Sequence, residues 1–184
     1  NSEAYRRIRN TFRFLLGNLY DFDVENDAVP EDLLSEIDRF MLHKLAKLTK
    51  RVRTAYSQYE FHVFYQTFHN FCAVDLSAFY LDVIKDRLYV EGAKSEARRG
   101  AQTIMHKLAD TMVRLMAPIL PFTADEIWDY MPNPTPNREP SVSLTLLPEV
   151  NESHLDEKLC LRWERLLELR DSTLKALEEA REKK

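Results

Sequence analysis

The sequence predicts an all-α fold: a bundle of roughly four to five helices with one short strand and a trailing C-terminal helix. Three observations carry that expectation. Apolar residues recur at helical spacing through nearly everything up to residue 131. Glycine is scarce, three residues in 184, which disfavours sheet-and-turn architectures and phosphate-cradling loops that need positive φ. Prolines fall where helices should start or stop.

The first helix is expected over residues 2–20, where Tyr5, Ile8, Phe12, Leu15, Leu16 and Leu19 share one side. A polar break, 21–29, precedes Pro30, a first-turn proline followed by Glu31 and Asp32, whose charges suit a helix N-terminus. The second helix runs to about Tyr59 along Leu34, Ile37, Met41, Leu45, Leu48, Val52 and Tyr56. A third segment, 60–89, is apolar on more than one side (Phe61, Phe64, Phe68, Phe71, Leu76, Phe79) and reads as the central helix. Gly92 ends it, and Ser95 N-caps a fourth helix through Met116. Pro118 and Pro121 break that helix, and Thr123-Ala-Asp-Glu126 has the capping-box pattern for a short fifth one containing Trp128. Next comes a proline- and asparagine-rich linker, PNPTPNREP, and then SVSLTLLP, whose alternation reads as one short strand. A charged helix over 153–184 carries Leu159, Trp163, Leu166, Leu167, Leu169 and Leu174 and shows no stop signal. The expected organisation is a bundle at 1–131, a linker with its strand at 132–148, and the start of a junction helix at 149–184.

Composition narrows function mainly by exclusion. At 45% apolar and 30% charged, the chain is that of a globular protein able to bury a core. No apolar run approaches the roughly 18 residues of a membrane span, so no membrane partner and a cytoplasmic setting are expected. Cys72 and Cys160 match no metal or redox spacing and read as reduced thiols. The five histidines form no HExxH pair; His62 and His69 read as packed or surface groups. No nucleophile elbow is present, and most carboxylates lie four residues from a Lys or Arg, as on solvated helix faces. No self-contained active site is expected.

The remaining signal is basic charge in stripes within a chain of net charge −4. In RRIRNTFRFLLGNLYDF, at roughly 100° per residue, the apolar set occupies one arc while Arg6, Arg9, Asn10, Arg13 and Gly17 occupy the adjacent one. Guanidiniums bind phosphates bidentately and stack on bases, and an Asn can both donate to and accept from a base edge. The same arginines could instead pair with Asp21, Asp23, Glu25 and Asp27 just downstream. A second stripe, Lys44, Lys47, Lys50, Arg51 and Arg53, and the pair Arg98 and Arg99 beside Gly100, are weaker signals of the same kind.

Several stretches together resemble one family. YRRIRNTFRFLLGNLYDF is similar to the helix that follows the catalytic core in class I isoleucyl-tRNA synthetases. FCAVDLSAFYLDVIKDRLY resembles that family's central anticodon-domain helix, and LMAPILPFTADEIW its proline-bounded helix junction. SVSLTLLP and WERLLELRDSTLKALEEAR resemble its post-linker strand and C-terminal junction helix. The resemblance covers essentially the whole chain. It implies the anticodon-binding helical bundle of class Ia aminoacyl-tRNA synthetases, gripping the anticodon stem-loop of tRNA(Ile) as a monomeric unit beside catalytic and C-terminal domains. HIGH and KMSKS are absent, as is the cysteine-rich zinc module, so ATP and zinc would belong to other parts of such an enzyme and this chain would hold no cofactor. The resemblance puts Arg9, Asn10, Arg13 and Phe14 towards the anticodon loop, with Arg6, Lys44, Lys47 and Arg51 as further RNA contacts. Lys85, Asp86 and Arg87 match a family signature that either contacts RNA or ties helices together, with the structural role the one favoured. Asp75, Tyr80 and Asp82 are expected in buried or interhelical hydrogen bonds, and Trp128 and Trp163 in packing. The equivalent domain of a valyl or leucyl enzyme and a helical protein-interaction module are the alternatives.

Overall fold

The computed structural model describes residues 2–132 and 138–182; most of the proline-rich linker lies outside the described residues. The helices are α1 (Ser2–Gly17), α2 (Val24–Asp27), α3 (Glu36–Ser57), α4 (Phe61–Asn70), α5 (Leu81–Val83), α6 (Lys85–Tyr89), α7 (Glu96–Met116), α8 (Pro121–Asp129) and α9 (Glu157–Glu182). Short 3₁₀ turns occupy Glu31–Leu33, Val142–Leu144 and Glu152–His154. No described helix is long and apolar enough to cross a membrane.

The expected third helix is one rod from α4 through α6, but its middle, Phe71–Tyr80, is wound as a π-helix. The wider turn lets Phe71, Cys72, Leu76, Phe79 and Tyr80 all reach the interior, and Ser77 Oγ donates to Cys72 O, five residues back, at 2.7 Å. The rod is the centre of the bundle. It packs between α1 and α3, while α7 closes the core behind them, α8 lies on α7, and the start of α9 lies on α3. Phe12, Leu15, Phe40, Met41, Phe68, Leu76, Ile104 and Leu108 fill the shared core.

Several boundaries differ from expectation for identifiable reasons. Pro30 opens the 3₁₀ turn, and α3 starts only after Ser35, whose extended backbone marks the N-cap. Ser95 caps α7 by accepting from the Arg98 N–H, as expected. Thr123 is not a cap: Pro121 already sits in the first turn of α8, and the Thr123 hydroxyl meets the Tyr5 phenol at 3.1 Å. The expected strand is absent among the described residues. Ser141 Oγ and the Val142 N–H both donate to Asp125 Oδ1, turning the chain where a partner strand would have to lie. Of its alternating apolar residues only Val142 is buried, whereas Leu144 and Leu146 are exposed, so the alternation has no sheet to serve.

Two buried ion-pair clusters fasten the helix ends. Asp38, 0% exposed in the first turn of α3, accepts from Ser35 Oγ at 2.6 Å, from the Tyr80 phenol at 2.7 Å and from both Arg87 terminal nitrogens at 3.0 and 2.8 Å. Arg87 Nε donates to Ala97 O at 2.9 Å, so three elements meet at one guanidinium. Gly100 is what lets α7 come this close, because a Cβ there would sit 3.2 Å from an Arg87 nitrogen. Burial and the Asp38 charge push the Tyr80 phenol well up, which keeps it a donor. The second cluster centres on Asp21, which takes both Arg98 nitrogens at 2.6 and 3.0 Å and Gln102 Nε2 at 2.8 Å. Arg99 adds a bond to Asp21 O at 2.9 Å and an ion pair to Asp27 at 3.3 Å.

Two predictions follow from these buried groups. Asp38→Ala strands the Arg87 guanidinium, and urea unfolding is expected to show a loss of about 3–5 kcal/mol, against about 1 kcal/mol for Tyr80→Phe. A loss for Asp38→Ala no larger than that for Tyr80→Phe contradicts the assignment. Acid should also destabilise the fold. Burial lowers His43 and His106 from 6.5, so below that pH the unfolded chain takes up protons that the folded chain refuses. Asp21, lowered by Arg98, and Glu31, lowered by Lys107, extend the loss as pH falls through the carboxylate range. The thermal midpoint should therefore be level between about pH 7 and 8 and fall steadily below about 6.5; an unchanged midpoint down to pH 5 contradicts it.

Candidate nucleic-acid interface

The face that α1 turns outward follows from its sequence period. Ala4, Ile8, Thr11, Phe12 and Leu15 are buried against the rod and α7, which leaves Arg6, Arg7, Arg9, Asn10, Arg13 and Gly17 exposed. The helix forms a ridge with a hollow on each side, and the predicted stripe divides between them. On the rod side, Arg6, Asn10 and Phe14 face Ser77, Leu81 and Lys85 across a cleft of about 430 Å³. On the α8 side, Arg9, Arg13 and Gly17 line a groove of about 560 Å³. Phe14 is half-buried, its ring packed against the core with one flank in the cleft.

The downstream acids do not neutralise this ridge. Asp21 and Asp27 are occupied by Arg98 and Arg99. Arg9 instead pairs with Glu126 of α8, both terminal nitrogens donating at 3.0 Å, and also reaches the Tyr5 phenol at 3.4 Å. Arg7 pairs loosely with Glu3 at 3.8 Å. Among the described residues, Arg6, Asn10 and Arg13 have no side-chain hydrogen bond or ion pair. Two free guanidiniums along one helix can donate to phosphate oxygens, and a free amide can both donate to and accept from a base edge.

The second stripe is more heavily engaged. Lys44 pairs with Asp75 at 3.0 Å, Lys47 with Glu157 at 3.6 Å, Lys50 with Glu152 at 3.9 Å, and Arg53 with Glu149 at 3.2 Å. Arg53 also donates to the Leu147 and Pro148 carbonyls, which pins the segment after the linker to α3. Arg51 has no ion pair among the described residues. With Lys44, Lys47, Gln66 and Asn70 it lines a hollow of about 500 Å³ between α3 and the rod. The Lys47 pair is exposed, and such pairs are weak enough for a phosphate to compete.

Other candidates separate cleanly. Arg98 and Arg99, each 7% exposed, belong to the Asp21 cluster and are unavailable to a ligand. Arg87 is structural; Lys85 at the start of α6 pairs with Asp82 of α5 at 2.9 Å on the cleft rim, an exposed bond within the rod. Asp75 and Tyr80 do bridge helices. Trp163 stacks on Phe40 with ring centres 5.4 Å apart, and Trp128 donates to Glu139 O beneath the Arg138 guanidinium. Sequence reasoning missed Tyr20 and Tyr130, 80% and 73% exposed on the α8-side groove, and it missed Glu126 as the Arg9 partner. Tyr20 follows the stripe directly, so its signal was an aromatic beyond the end of an apolar period.

Among the described residues one group has metal-ligand character: His43, Glu157 and Cys160. It does not fit a cation. The Asp156 N–H donates to His43 Nδ1 at 2.9 Å, which places the imidazole proton on Nε2 and leaves that nitrogen no lone pair. Lys44 and Lys47 add positive charge beside it. The Cys160 thiol is raised by burial and donates to Glu164, so it stays protonated.

Comparison with known proteins accounts for this architecture. Residues 38–184 match the model of the anticodon-binding domain of tRNA ligase. The whole chain is 54% identical to the isoleucine–tRNA ligase of Desulforudis audaxviator and 50% identical to that of Geobacillus kaustophilus, spanning 20% of each. The solved LeuRS of Agrobacterium radiobacter K84, in a ternary complex with tRNA and LeuAMS, shares the fold over 82% of this chain and 16% of its own, with a TM-score of 0.53 at 18% identity. The chain thus spans about a fifth of the length of its curated relatives, and those relatives include α1, which the family model does not reach. It belongs to the anticodon-binding domain family of tRNA ligases, with isoleucine–tRNA ligases as its half-identical relatives.

Proposed function

We propose that this domain binds the anticodon stem-loop of tRNA(Ile) and holds it in register for aminoacylation carried out elsewhere in an isoleucine–tRNA ligase. The observation that carries the reading is the set Arg6, Asn10 and Arg13, which stand unpaired on α1 while Arg87, Arg98 and Arg99 are consumed by the fold. In this reading phosphates lie along Arg6, Lys47 and Arg51 and set register. Asn10 and Phe14, facing each other's flank in the rod-side cleft, meet an unpaired base by hydrogen bonding and stacking. ATP and zinc belong to other parts of the polypeptide. The domain acts as a monomer in the cytoplasm, by positioning rather than by chemistry.

The net charge of −4 makes salt the sharpest test, because attraction here is local to the stripes. Affinity for a tRNA(Ile) anticodon stem-loop should fall steeply between about 50 and 200 mM salt. Arg6→Ala combined with Arg51→Ala should lower it about tenfold and flatten the salt slope by about one unit per lost phosphate contact. A folded domain that ignores the stem-loop at low salt, or binds it equally at both salts, removes the RNA reading in favour of a protein-interaction module.

A further inference from the structure

The segment that leads into α9 lies along the basic stripe of α3 with its charges matched one for one. From residue 44 to 53 the helix carries five cations and no acid, and from 149 to 157 the segment carries four acids and no Lys or Arg. Glu157, Glu152 and Glu149 meet Lys47, Lys50 and Arg53 in that order, at 3.6, 3.9 and 3.2 Å, so the segment runs antiparallel to α3. The three glutamate side chains are at least two-thirds exposed. Other groups do the fastening. Arg53 Nη1 holds the Leu147 and Pro148 carbonyls at one end, His43 Nδ1 accepts the Asp156 N–H at the other, and His154 meets Glu31 at 3.0 Å between them. Between Pro148 and Leu159 no residue is buried. A hollow of about 160 Å³ is lined there by Glu149, Asn151 and His154 of the segment and by Asp110 and Thr111 of α7.

We propose that Glu149, Glu152 and Glu157 are tethered phosphate mimics that restrain RNA binding along α3, each releasing its cation only when an RNA phosphate takes its place. The proposal rests on the anticodon stem-loop reading and adds an internal competitor to it. A carboxylate and a phosphate offer an ammonium or guanidinium the same kind of acceptor, so the exchange needs no new geometry. Exposed pairs of this kind add least to stability. The acids that hold the fold are bound differently: Asp38 and Asp21 each take three or four donors at 3.0 Å or less. Charge also selects the incoming group. Lys47 and Lys50 stand nearly one helical turn apart beside Arg51, a row that suits a chain of phosphates and gives an apolar protein face nothing to bury. Because Arg53 and His43 keep the segment in place, the glutamates stay within reach and return when RNA leaves. Selectivity follows. An RNA that meets only α3 exchanges one anion for another and gains little, whereas one that also reaches Arg6 and Arg13, unpaired among the described residues, gains those contacts in full.

Two measurements on this chain test it. The first is fluorescence anisotropy of a labelled stem-loop with the triple variant Glu149→Gln, Glu152→Gln and Glu157→Gln. Its control has equal net charge, with Glu178→Gln, Glu179→Gln and Glu182→Gln on the exposed outer half of α9, and both are checked for folding by circular dichroism. The triple variant should bind about fivefold more tightly than the control, steepen the salt slope by about one unit per freed cation, and prefer the stem-loop less over a blunt RNA duplex. The second is carbodiimide coupling, which joins a lysine to a carboxylate in contact with it, mapped by mass spectrometry. The free protein should give Lys47–Glu157 and Lys50–Glu152 links that saturating stem-loop abolishes, while the Lys107–Glu31 link away from the stripe persists. Equal affinity of the triple and control variants, or stripe links that survive saturating stem-loop, removes the competitor and leaves the anticodon reading intact. Absence of any wild-type binding at low salt removes both.

Discussion

The Asp38 carboxylate, sealed from water, is the constraint on which the rest of the bundle depends. A buried charge is tolerable only when every acceptor site is filled, and Asp38 fills its own from Ser35, Tyr80 and Arg87. Those donors come from the start of α3, the end of the π-wound stretch and α6, so one carboxylate sets where three segments meet. The π-helix follows from the same requirement: its wider turn brings Tyr80 inward beside Leu76 and Phe79, where the phenol reaches Asp38. Gly100 completes the geometry by letting α7 pass against the guanidinium.

This arrangement sorts the arginines into two populations. Arg87, Arg98 and Arg99 spend their donors on carboxylates and carbonyls at the ends of the helices. Arg6 and Arg13 of α1 do not, because the acids nearest in sequence, Asp21 and Asp27, are already taken by α7, and the carboxylates that α1 does engage, Glu126 by Arg9 and Glu3 by Arg7, lie at the surface. The interior pairs thus keep the outer stripe free, and a chain with net negative charge presents a locally cationic ridge. The α3 stripe has a mixed role. Arg53 and Lys50 bind back the segment leading into α9, while Arg51 points into the hollow beside the rod.

Local periodicity carried the helices, and it carried the outward orientation of Arg6, Asn10 and Arg13, because both depend only on neighbours within a few turns. It did not carry the fate of Arg98 and Arg99, whose partner Asp21 lies 77 and 78 positions away, or of Arg87, 49 positions from Asp38. The SVSLTLLP alternation suggested a strand, but strands need partners, and Asp125 turned this one instead. The division of the stripe into two hollows was equally invisible, since it depends on α8 and the rod flanking α1. The family resemblance was legible end to end because the motifs kept their order.

Arginine-selective modification by phenylglyoxal, read residue by residue by mass spectrometry with and without saturating tRNA(Ile) stem-loop, measures this sorting directly. The account predicts that Arg6, Arg13 and Arg51 react in the free domain and are shielded by RNA, while Arg87, Arg98 and Arg99 stay unreactive in both states. Unchanged modification of Arg6 and Arg13 under saturating RNA, or ready modification of Arg98 in the free domain, would contradict it.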